Sequence, residues 1–217
     1  MSIRLYGYWR SSASYRVRIA LHLKDIPFEH QSVHLVRDGG EQHLRSYQGL
    51  NPSALVPTLV DEDEDIILNQ SLAIIEYLDE KYDTGPALLP EHKLQRARVR
   101  ALAYDVAADI QPLANLRVLQ YLEREFDADA EGKAVWARYW IEKGFTGIEK
   151  RLQTTAGKYC FGFDLTLVDV CLVPQVYNAL RFGVDMADYP LIQRIAENCN
   201  KLEAFSRAAP ENQPDAQ

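Results

Sequence analysis

Residues 9–21 have the sequence WRSSASYRVRIAL, which joins a predicted strand to a predicted helix. Before this stretch, residues 3–8 alternate apolar and other side chains, a pattern typical of a strand. From Tyr15 to Leu23, apolar residues form the broad stripe of a packed helix. The chain is therefore organised around a strand-to-helix junction, and we expect the chemistry to be at this junction.

Hydroxyl groups crowd the predicted start of the helix, where Ser11, Ser12 and Ser14 follow Arg10. A serine here accepts hydrogen bonds from unpaired backbone N–H groups, and a single serine before a helix is usually only an N-cap. The same N–H groups and the helix dipole attract anions. Three hydroxyls beside an arginine, at the carboxyl end of a first strand, favour a site for an anion or a thiolate.

The composition is typical of an acidic globular protein. The chain has 217 residues, of which 47% are hydrophobic and 25% charged, with a net charge of −7 and a pI of about 5.3. This negative charge argues against a nucleic-acid partner or an anionic membrane surface. We find no secretory signal pattern and no apolar run near the ~20 residues that span a bilayer, so we expect a cytoplasmic protein without membrane association.

The cysteines Cys160, Cys171 and Cys199 are widely spaced and form no CxxC pattern. Their odd number and their spacing argue against a disulfide framework or a zinc site. We therefore interpret each as a small buried hydrophobic residue and expect no metal.

The N-terminal part of the chain has the pattern of an α/β domain. A second strand is predicted over residues 28–35. Two short strands, 56–60 and 66–68, are joined by the acidic run 61–65, which we interpret as a solvated hairpin tip. Ser71 then caps a helix. This order is compatible with the thioredoxin fold, but the pattern alone leaves other α/β arrangements open.

Beyond a linker at residues 84–90, which has two prolines and a glycine, we find only helical periods. Thr166 and Asp169 have the spacing of a capping box, so we interpret Asp169 as a capping residue rather than a catalytic acid. Residues 210–217 are predicted to be a polar tail. The predicted helices are 95–110, 113–126, 132–152, 166–182 and 190–202.

The junction at residues 9–21 closely resembles the start of the first helix in the zeta class of glutathione transferases, the maleylacetoacetate isomerase family. This chain has Ala13 where many members carry cysteine. The resemblance covers nearly the whole chain, through NP at 51–52, VPTL at 56–59, NQS at 69–71, IIEYL at 74–78, DIQP at 109–112, TLVD at 166–169, LVPQV at 172–176, RF at 181–182 and QPD at 213–215.

The resemblance implies an α/β plus all-α architecture and a homodimer. A thioredoxin-like glutathione-binding domain is expected over residues 1–83, followed by the linker at 84–90. An all-helical, substrate-binding glutathione-transferase domain is expected over residues 91–217.

The resemblance also implies a glutathione site. In this family the peptide bond matching Val56-Pro57 is cis, and the backbone of the residue before the proline pairs with the cysteinyl part of glutathione. The pair matching Gln70-Ser71 holds the γ-glutamyl carboxylate, and a serine hydroxyl with the N–H groups of a helix N-terminus suits that ligand. The implied glutathione-binding residues are Ser11, Ser12, His43, Val56, Pro57, Gln70, Ser71, Gln111 and Asn115.

Three arginines are implied to bind the second substrate: Arg10, Arg117 and Arg181. We expect Arg117 and Arg181 to face the first domain across a cleft. A guanidinium matches a carboxylate in bidentate fashion and remains charged. Any one of them could equally be a surface arginine, but together they indicate a small dicarboxylate keto acid as the substrate.

The activity implied by the resemblance is glutathione-dependent cis-trans isomerisation of maleylacetoacetate to fumarylacetoacetate in tyrosine and phenylalanine breakdown. A free thiol has a pKa of roughly 8.5, so the site must favour the thiolate, which Ser11 or Ser12 would do at the helix N-terminus. We favour Ser11 as the catalytic serine because it is nearer the strand end. The alternatives are a maleylpyruvate isomerase, a general transferase that conjugates electrophiles or dehalogenates α-halo acids, and a non-enzymatic binding module.

Overall fold

A computed structural model describes residues 2–217 of the chain. Its strands are β1 (Ile3–Gly7), β2 (Glu29–Ser32), β3 (Thr58–Asp61) and β4 (Ile66–Asn69). Its α-helices are α1 (Ser12–Leu23), α2 (Arg45–Gln48), α3 (Ser71–Lys81), α4 (Lys93–Tyr104), α5 (Leu116–Phe126), α6 (Ala130–Thr155), α7 (Leu167–Arg181), α8 (Pro190–Asn200) and α9 (Glu203–Ala208).

The chain forms two compact units. The first contains the chain up to Ala87 together with Leu202–Gln217, and the second contains Leu88–Lys201. The final residues therefore pack with the N-terminal unit, whereas the sequence assigns them to the helical domain. The predicted boundaries at 83 and 91 stay a prediction.

The first unit is a four-stranded sheet in the order β2-β1-β3-β4. Strand β1 is parallel to β2 and antiparallel to β3, and β3 is antiparallel to β4. Helices α1 and α3 pack against each other, and α9 packs on α1. Leu5, Ile19 and Leu59 are fully buried in this core. A strand, helix and strand followed by a hairpin and a helix is the thioredoxin-like arrangement, so the predicted fold is confirmed.

The strand register brings several loops to one edge of this sheet. Tyr6, near the end of β1, pairs with Thr58 at the start of β3, and Thr58 pairs with Asn69 at the end of β4. Strand β2 ends at the same edge, where Ser32 pairs with Gly7. The turn after β1, the segment before β3 and the helix start after β4 therefore meet at this edge, and we call it the loop edge.

The second unit is helical, as predicted. Helix α4 continues into a π-helical turn, Asp105–Ile110, and then a 3-10 turn, Gln111–Ala114. Pro112 lies in that 3-10 turn and cannot donate the hydrogen bond that a helix interior requires. Most residues of α7 are buried, so this helix forms the centre of the unit.

The capping box at the start of α7 is confirmed. Asp169 is fully buried and accepts hydrogen bonds from the Thr166 N–H at 2.8 Å and the Thr166 hydroxyl at 3.0 Å. It also accepts the Cys160 N–H at 2.8 Å. These bonds give Asp169 a structural role.

The acidic run 61–65 differs from the expected solvated tip at its first residue. Asp61 ends β3 and is fully buried, whereas residues 62–65 are exposed. The Asp61 carboxylate accepts a hydrogen bond from the Tyr77 hydroxyl at 2.7 Å and another from the Lys81 Nζ at 2.6 Å. Charge pairing with α3 therefore overrides the tendency of a like-charged run to remain in water.

The predicted polar tail, residues 210–217, is bonded to the helix that precedes it. Gln213 is buried, and its Nε2 donates to the carbonyls of Arg207 at 2.9 Å and Ala209 at 2.8 Å. These bonds join Gln213 to α9 and to the residue that follows it.

Among residues 2–217, no helix combines the length and apolar character needed to cross a membrane. Within the same range, no group of three or more His, Cys, Asp or Glu side chains is placed to hold a metal ion. Cys160, Cys171 and Cys199 are buried thiols.

Candidate active site

The turn between β1 and α1 places Ser11 at the N-terminus of α1. The Ser11 N–H donates to the Tyr8 carbonyl at 3.0 Å, and the Ser11 hydroxyl oxygen accepts the Ser14 N–H at 3.2 Å. Ser11 is therefore the N-cap of α1. Because its oxygen is the acceptor in that bond, its hydroxyl proton remains available for donation to an anion. Ser11 is half-buried, whereas Ser12 is buried.

Small residues bring the start of α1 close to the end of β1. A Cβ on Gly7 would lie 3.0 Å from the Ser14 Oγ and 3.2 Å from the Ser14 Cβ. Ser14 is fully buried, and its hydroxyl oxygen accepts the Tyr8 N–H at 3.4 Å. The position of the α1 N-terminus therefore depends on the glycine at the end of the strand.

A buried network holds the segment before β3. The Val56-Pro57 peptide bond is cis, as the resemblance implies. The Leu55 carbonyl accepts hydrogen bonds from the Tyr47 hydroxyl at 2.6 Å and the Asn51 Nδ2 at 2.8 Å. Both groups also contact the Thr58 hydroxyl, at 2.9 Å and 3.2 Å. Burial raises the pKa of Tyr47, which keeps its hydroxyl protonated, so the network fixes the backbone on both sides of the cis bond.

The start of α3 provides a second hydroxyl at the loop edge. Gln70, not Ser71, is the N-cap of α3, and no side chain caps this helix, so the prediction that Ser71 caps it is wrong. Ser71 is buried, and its oxygen accepts a hydrogen bond from the Arg16 Nε at 3.0 Å. Gln70 has φ 68°, a left-handed conformation that costs a non-glycine residue about 1–3 kcal/mol and is often found at functional sites. A buried guanidinium, a hydroxyl and a helix N-terminus together suit a carboxylate.

The structure thus brings most of the predicted glutathione-binding residues of the first unit to the loop edge: Ser11, Ser12, Val56, Pro57, Gln70 and Ser71. His43 is exposed at the end of the 3-10 turn Glu41–His43. Gln111 and Asn115 lie in the second unit, where the Asn115 Oδ1 accepts the Arg117 N–H at 3.2 Å and caps α5.

The three predicted carboxylate-binding arginines are distributed over both units. Arg10 is half-buried in the first unit, with its guanidinium 5.0 Å from the centre of the Trp9 ring. Arg117 and Arg181 are exposed in the second unit, in the first turn of α5 and the last turn of α7. The Arg181 guanidinium lies 5.0 Å from the Phe182 ring. Their role as substrate ligands stays a prediction.

Several buried polar groups that support the loop edge were not predicted from the sequence. Arg16 and Arg18 are 3% and 0% exposed, although the helix pattern assigns burial to their apolar neighbours. Tyr47 and Asp215 were likewise not selected. The two arginines lie among apolar residues of the helix, and this pattern could have predicted a buried polar network, because a buried guanidinium must have acceptors nearby.

The sequence and the fold match a known class of protein. A family model for the glutathione S-transferase N-terminal domain matches residues 5–87. The chain is also 58% identical over 216 residues to the probable maleylacetoacetate isomerase of Vibrio cholerae, with 100% of this chain and 99% of the relative covered.

Solved structures agree. A bacterial maleylpyruvate isomerase described as a zeta-class glutathione S-transferase has a TM-score of 0.93 and 46% identity, with 99% of this chain and 100% of that chain covered. The maleylacetoacetate isomerase of Methylobacterium extorquens AM1, solved with malonate and glutathione, has a TM-score of 0.92 and 40% identity, with 99% of each chain covered. The chain therefore belongs to the zeta-class glutathione S-transferases, in the maleylacetoacetate isomerase family.

Proposed function

We propose that this protein is a glutathione-dependent maleylacetoacetate isomerase, which forms fumarylacetoacetate during tyrosine and phenylalanine breakdown. The observation that carries the proposal is the pair of helix N-termini at the loop edge. One presents the Ser11 hydroxyl and the other presents Ser71, paired with Arg16. A short peptide with a thiol on its central residue and a carboxylate at its end matches this pair, and glutathione (γ-glutamyl-cysteinyl-glycine) is such a peptide.

The donor set at the loop edge fits glutathione. Ser71 accepts from the buried Arg16 guanidinium, so its own proton can be donated to the γ-glutamyl carboxylate. Val56 precedes the first pair of the β3 ladder, which begins at Thr58, so its backbone can pair with a peptide in strand fashion. When bound, glutathione supplies a thiol that adds reversibly to the conjugated double bond and is regenerated after the bond has rotated.

Ser11 is the residue we assign to the thiol. Its hydroxyl and the N-terminus of α1 stabilise a negatively charged sulfur, which lowers the pKa of a thiol. Ala13 has no nucleophilic side chain, so a protein cysteine at this position takes no part in the reaction.

Arg10, Arg117 and Arg181 are proposed to bind the substrate carboxylates and to stabilise the negative charge that develops on the keto acid. The malonate found in the M. extorquens relative is a small dicarboxylate, which supports this substrate class. His43, Gln111 and Asn115 are proposed as further glutathione contacts on the resemblance alone.

Maleylpyruvate isomerase is the second candidate, because the relative with a TM-score of 0.93 carries that name. Both reactions need the same thiol and the same carboxylate ligands, and the two keto acids differ in length. A homodimer is a further proposal that rests on the family resemblance alone. A cytoplasmic location and the domain boundaries 1–83 and 91–217 are proposed from the sequence pattern.

The test is to assay purified protein with each keto acid, side by side, with and without glutathione. We expect glutathione-dependent isomerisation with a clear preference for maleylacetoacetate. A preference for maleylpyruvate would favour the second candidate. Turnover of neither acid, with glutathione conjugated to general electrophiles, would favour a general transferase, and the absence of glutathione binding would leave only a binding module.

A further inference from the structure

The turn that carries Ser11 is held by two charged side chains, one in α1 and one near residue 217. Arg18 in α1 donates from Nη2 to the Trp9 carbonyl at 2.9 Å and from Nη1 to the Tyr8 carbonyl at 3.4 Å. Asp215, near the end of the chain, accepts the Trp9 N–H through Oδ2 at 3.1 Å. Both backbone polar groups of Trp9 are therefore bonded to charged partners, two residues before Ser11.

Asp215 is itself fixed in place. Its Oδ2 also accepts the Ser32 hydroxyl at 3.0 Å, and its Oδ1 lies 3.1 Å from the His30 Nε2. That histidine contact is close but lacks hydrogen-bond geometry. Burial lowers the pKa of His30, so the imidazole is neutral at pH 7. The Asp215 side chain is 11% exposed.

The path of the terminus is fixed by the same α1 arginine and by Gln213. The Arg18 Nε donates to the Ala208 carbonyl at 3.0 Å, so one buried guanidinium bonds both to the Ser11 turn and to the end of α9. Gln213 then bonds back to the Arg207 and Ala209 carbonyls. The terminal segment therefore delivers Asp215 to the turn as part of a connected buried network.

We propose that Asp215 is a positioning residue, which holds the Trp9 N–H so that Ser11 and the α1 N-terminus are aligned with the thiol of bound glutathione. This inference rests on the proposed function and goes beyond it by assigning a role to the chain terminus. Misplacement of a catalytic group by about 1 Å can reduce the rate by up to ~100-fold. Loss of the bond between the Trp9 N–H and Asp215 is therefore expected to reduce the rate measurably.

The direction in which the pKa of the bound thiol changes distinguishes a positioning role of Asp215 from a purely electrostatic one. Removal of a nearby negative charge, by itself, lowers the pKa of a thiol, because the thiolate is then repelled less. Loss of alignment with Ser11 and the helix N-terminus raises it. A change that only weakens the fold moves the unfolding midpoint and leaves the thiol pKa of the folded complex unchanged.

The experiment is to titrate the thiolate absorbance of glutathione bound to wild type, Asp215→Ala, Asp215→Asn and the control Glu211→Ala. Glu211 is an exposed carboxylate on the same terminal segment. We expect Asp215→Ala to raise the pKa of the bound thiol by about 1 and to lower kcat about tenfold, with the glutathione Kd changed less than about threefold. Asp215→Asn keeps an acceptor oxygen, so its thiol pKa and kcat should lie close to the wild-type values. Glu211→Ala should match wild type.

A folded Asp215→Ala protein with an unchanged or lowered thiol pKa would overturn the proposal. If that variant does not fold, Ser32→Ala, which removes one partner of Asp215, should raise the thiol pKa by a smaller amount, and an unchanged value there would overturn it. The titration needs no keto acid. A wild type that lowers the thiol pKa but isomerises neither acid contradicts only the proposed function, whereas a wild type that does not bind glutathione overturns both.

Discussion

At the residue scale, Ser11 and Ser71 at the loop edge each have a structural bond and a proton to donate. The Ser11 oxygen caps α1, and the Ser71 oxygen accepts from Arg16. Since the accepting oxygen is engaged in both cases, the direction of each remaining proton is restricted. This pairing gives the two residues separable roles, one at the thiol and one at the carboxylate of glutathione.

Ser11→Ala should raise the pKa of the bound thiol and lower kcat at neutral pH, with little change in glutathione Kd. It should also lower the free energy of unfolding by about 1 kcal/mol, because the α1 cap is lost. Ser11→Asp separates the two effects: the cap is kept, but the added charge should raise the thiol pKa further. Thiolate titration and urea unfolding check both variants. If the thiol pKa of the Ser11→Ala complex equals the wild-type value, Ser11 does not activate the thiol, and Ser12 is the remaining candidate.

Ser71→Ala should show the opposite pattern. The loss of a hydrogen bond to a charged group is worth about 1.5–3 kcal/mol, so we expect the glutathione Kd to rise by tenfold or more. The thiol pKa of the complex should remain at the wild-type value. Calorimetric titration measures the Kd, and Ser206→Ala, an exposed serine on α9, serves as the control. Equal effects of Ser11→Ala and Ser71→Ala on Kd would contradict the separate roles.

The residues that could be predicted from the sequence are those whose signal lies in neighbouring residues of the chain. Ser11 and Ser71 were selected because a hydroxyl at a helix start is a local pattern, and the resemblance added their roles. Arg16 and Asp215 were not, because the partners that make their burial favourable lie 55 and 206 residues away in the chain. No local pattern encodes such pairs.

At the element scale, the contact of β1 with α1 sets where the helix N-terminus lies. Gly7→Ala should lower the free energy of unfolding by about 1–3 kcal/mol, because the new methyl group would press on Ser14. The matched control is Gly49→Ala in the same unit. Gly49 has φ −63° and its Cβ would meet only ordinary contacts at 3.5 Å and beyond, so we expect a neutral or stabilising effect. Urea unfolding compares the two, and equal losses would contradict the packing argument.

The pairing of β3 with α3 makes stability depend on pH. Burial by itself raises the pKa of Asp61, but hydrogen bonds from Lys81 and Tyr77 outweigh it, so the pKa lies below its ordinary value of 3.8. A carboxyl with a lowered folded pKa contributes stability above its unfolded pKa, and this contribution is lost as the pH falls through the folded value.

Asp61→Asn should therefore lower stability at pH 7 and flatten the fall in unfolding free energy below about pH 4. The control Asp63→Asn, an exposed residue of the same acidic run, should retain the wild-type curve. Urea unfolding at a series of pH values measures both. The acidic run also shows what charge patterning misses. The sequence predicts that all five carboxylates are exposed to solvent, but the ion pair with Lys81 of α3 allows one of them, Asp61, to be buried.

At the scale of the whole molecule, the sequence order predicted the two-part architecture, because strand and helix periods are local. It did not predict that the terminus packs with the first unit, since residues 202–217 contain no pattern that selects one set of neighbours over another. The second unit carries Arg117 and Arg181, and its contribution to substrate choice is proposed from their charge.

Arg181→Ala should raise KM for the dicarboxylate about tenfold or more, because a charged hydrogen bond to the substrate is lost. Its effect on a neutral electrophile should be small. Arg194→Ala, an exposed arginine on α8, is the control for loss of one positive charge. Steady-state kinetics measure KM and kcat of each variant with both substrates. Equal slowing of both would show that Arg181 is not a carboxylate ligand.

The proposed isomerase uses glutathione as a recycled thiol. The most direct measurement follows product formation and total free thiol together, with maleylacetoacetate in large excess over glutathione. We expect many turnovers of the trans product per glutathione, with the amount of free thiol unchanged at the end. Loss of one thiol for each product molecule would show a conjugating transferase instead, and would contradict the proposed isomerase function.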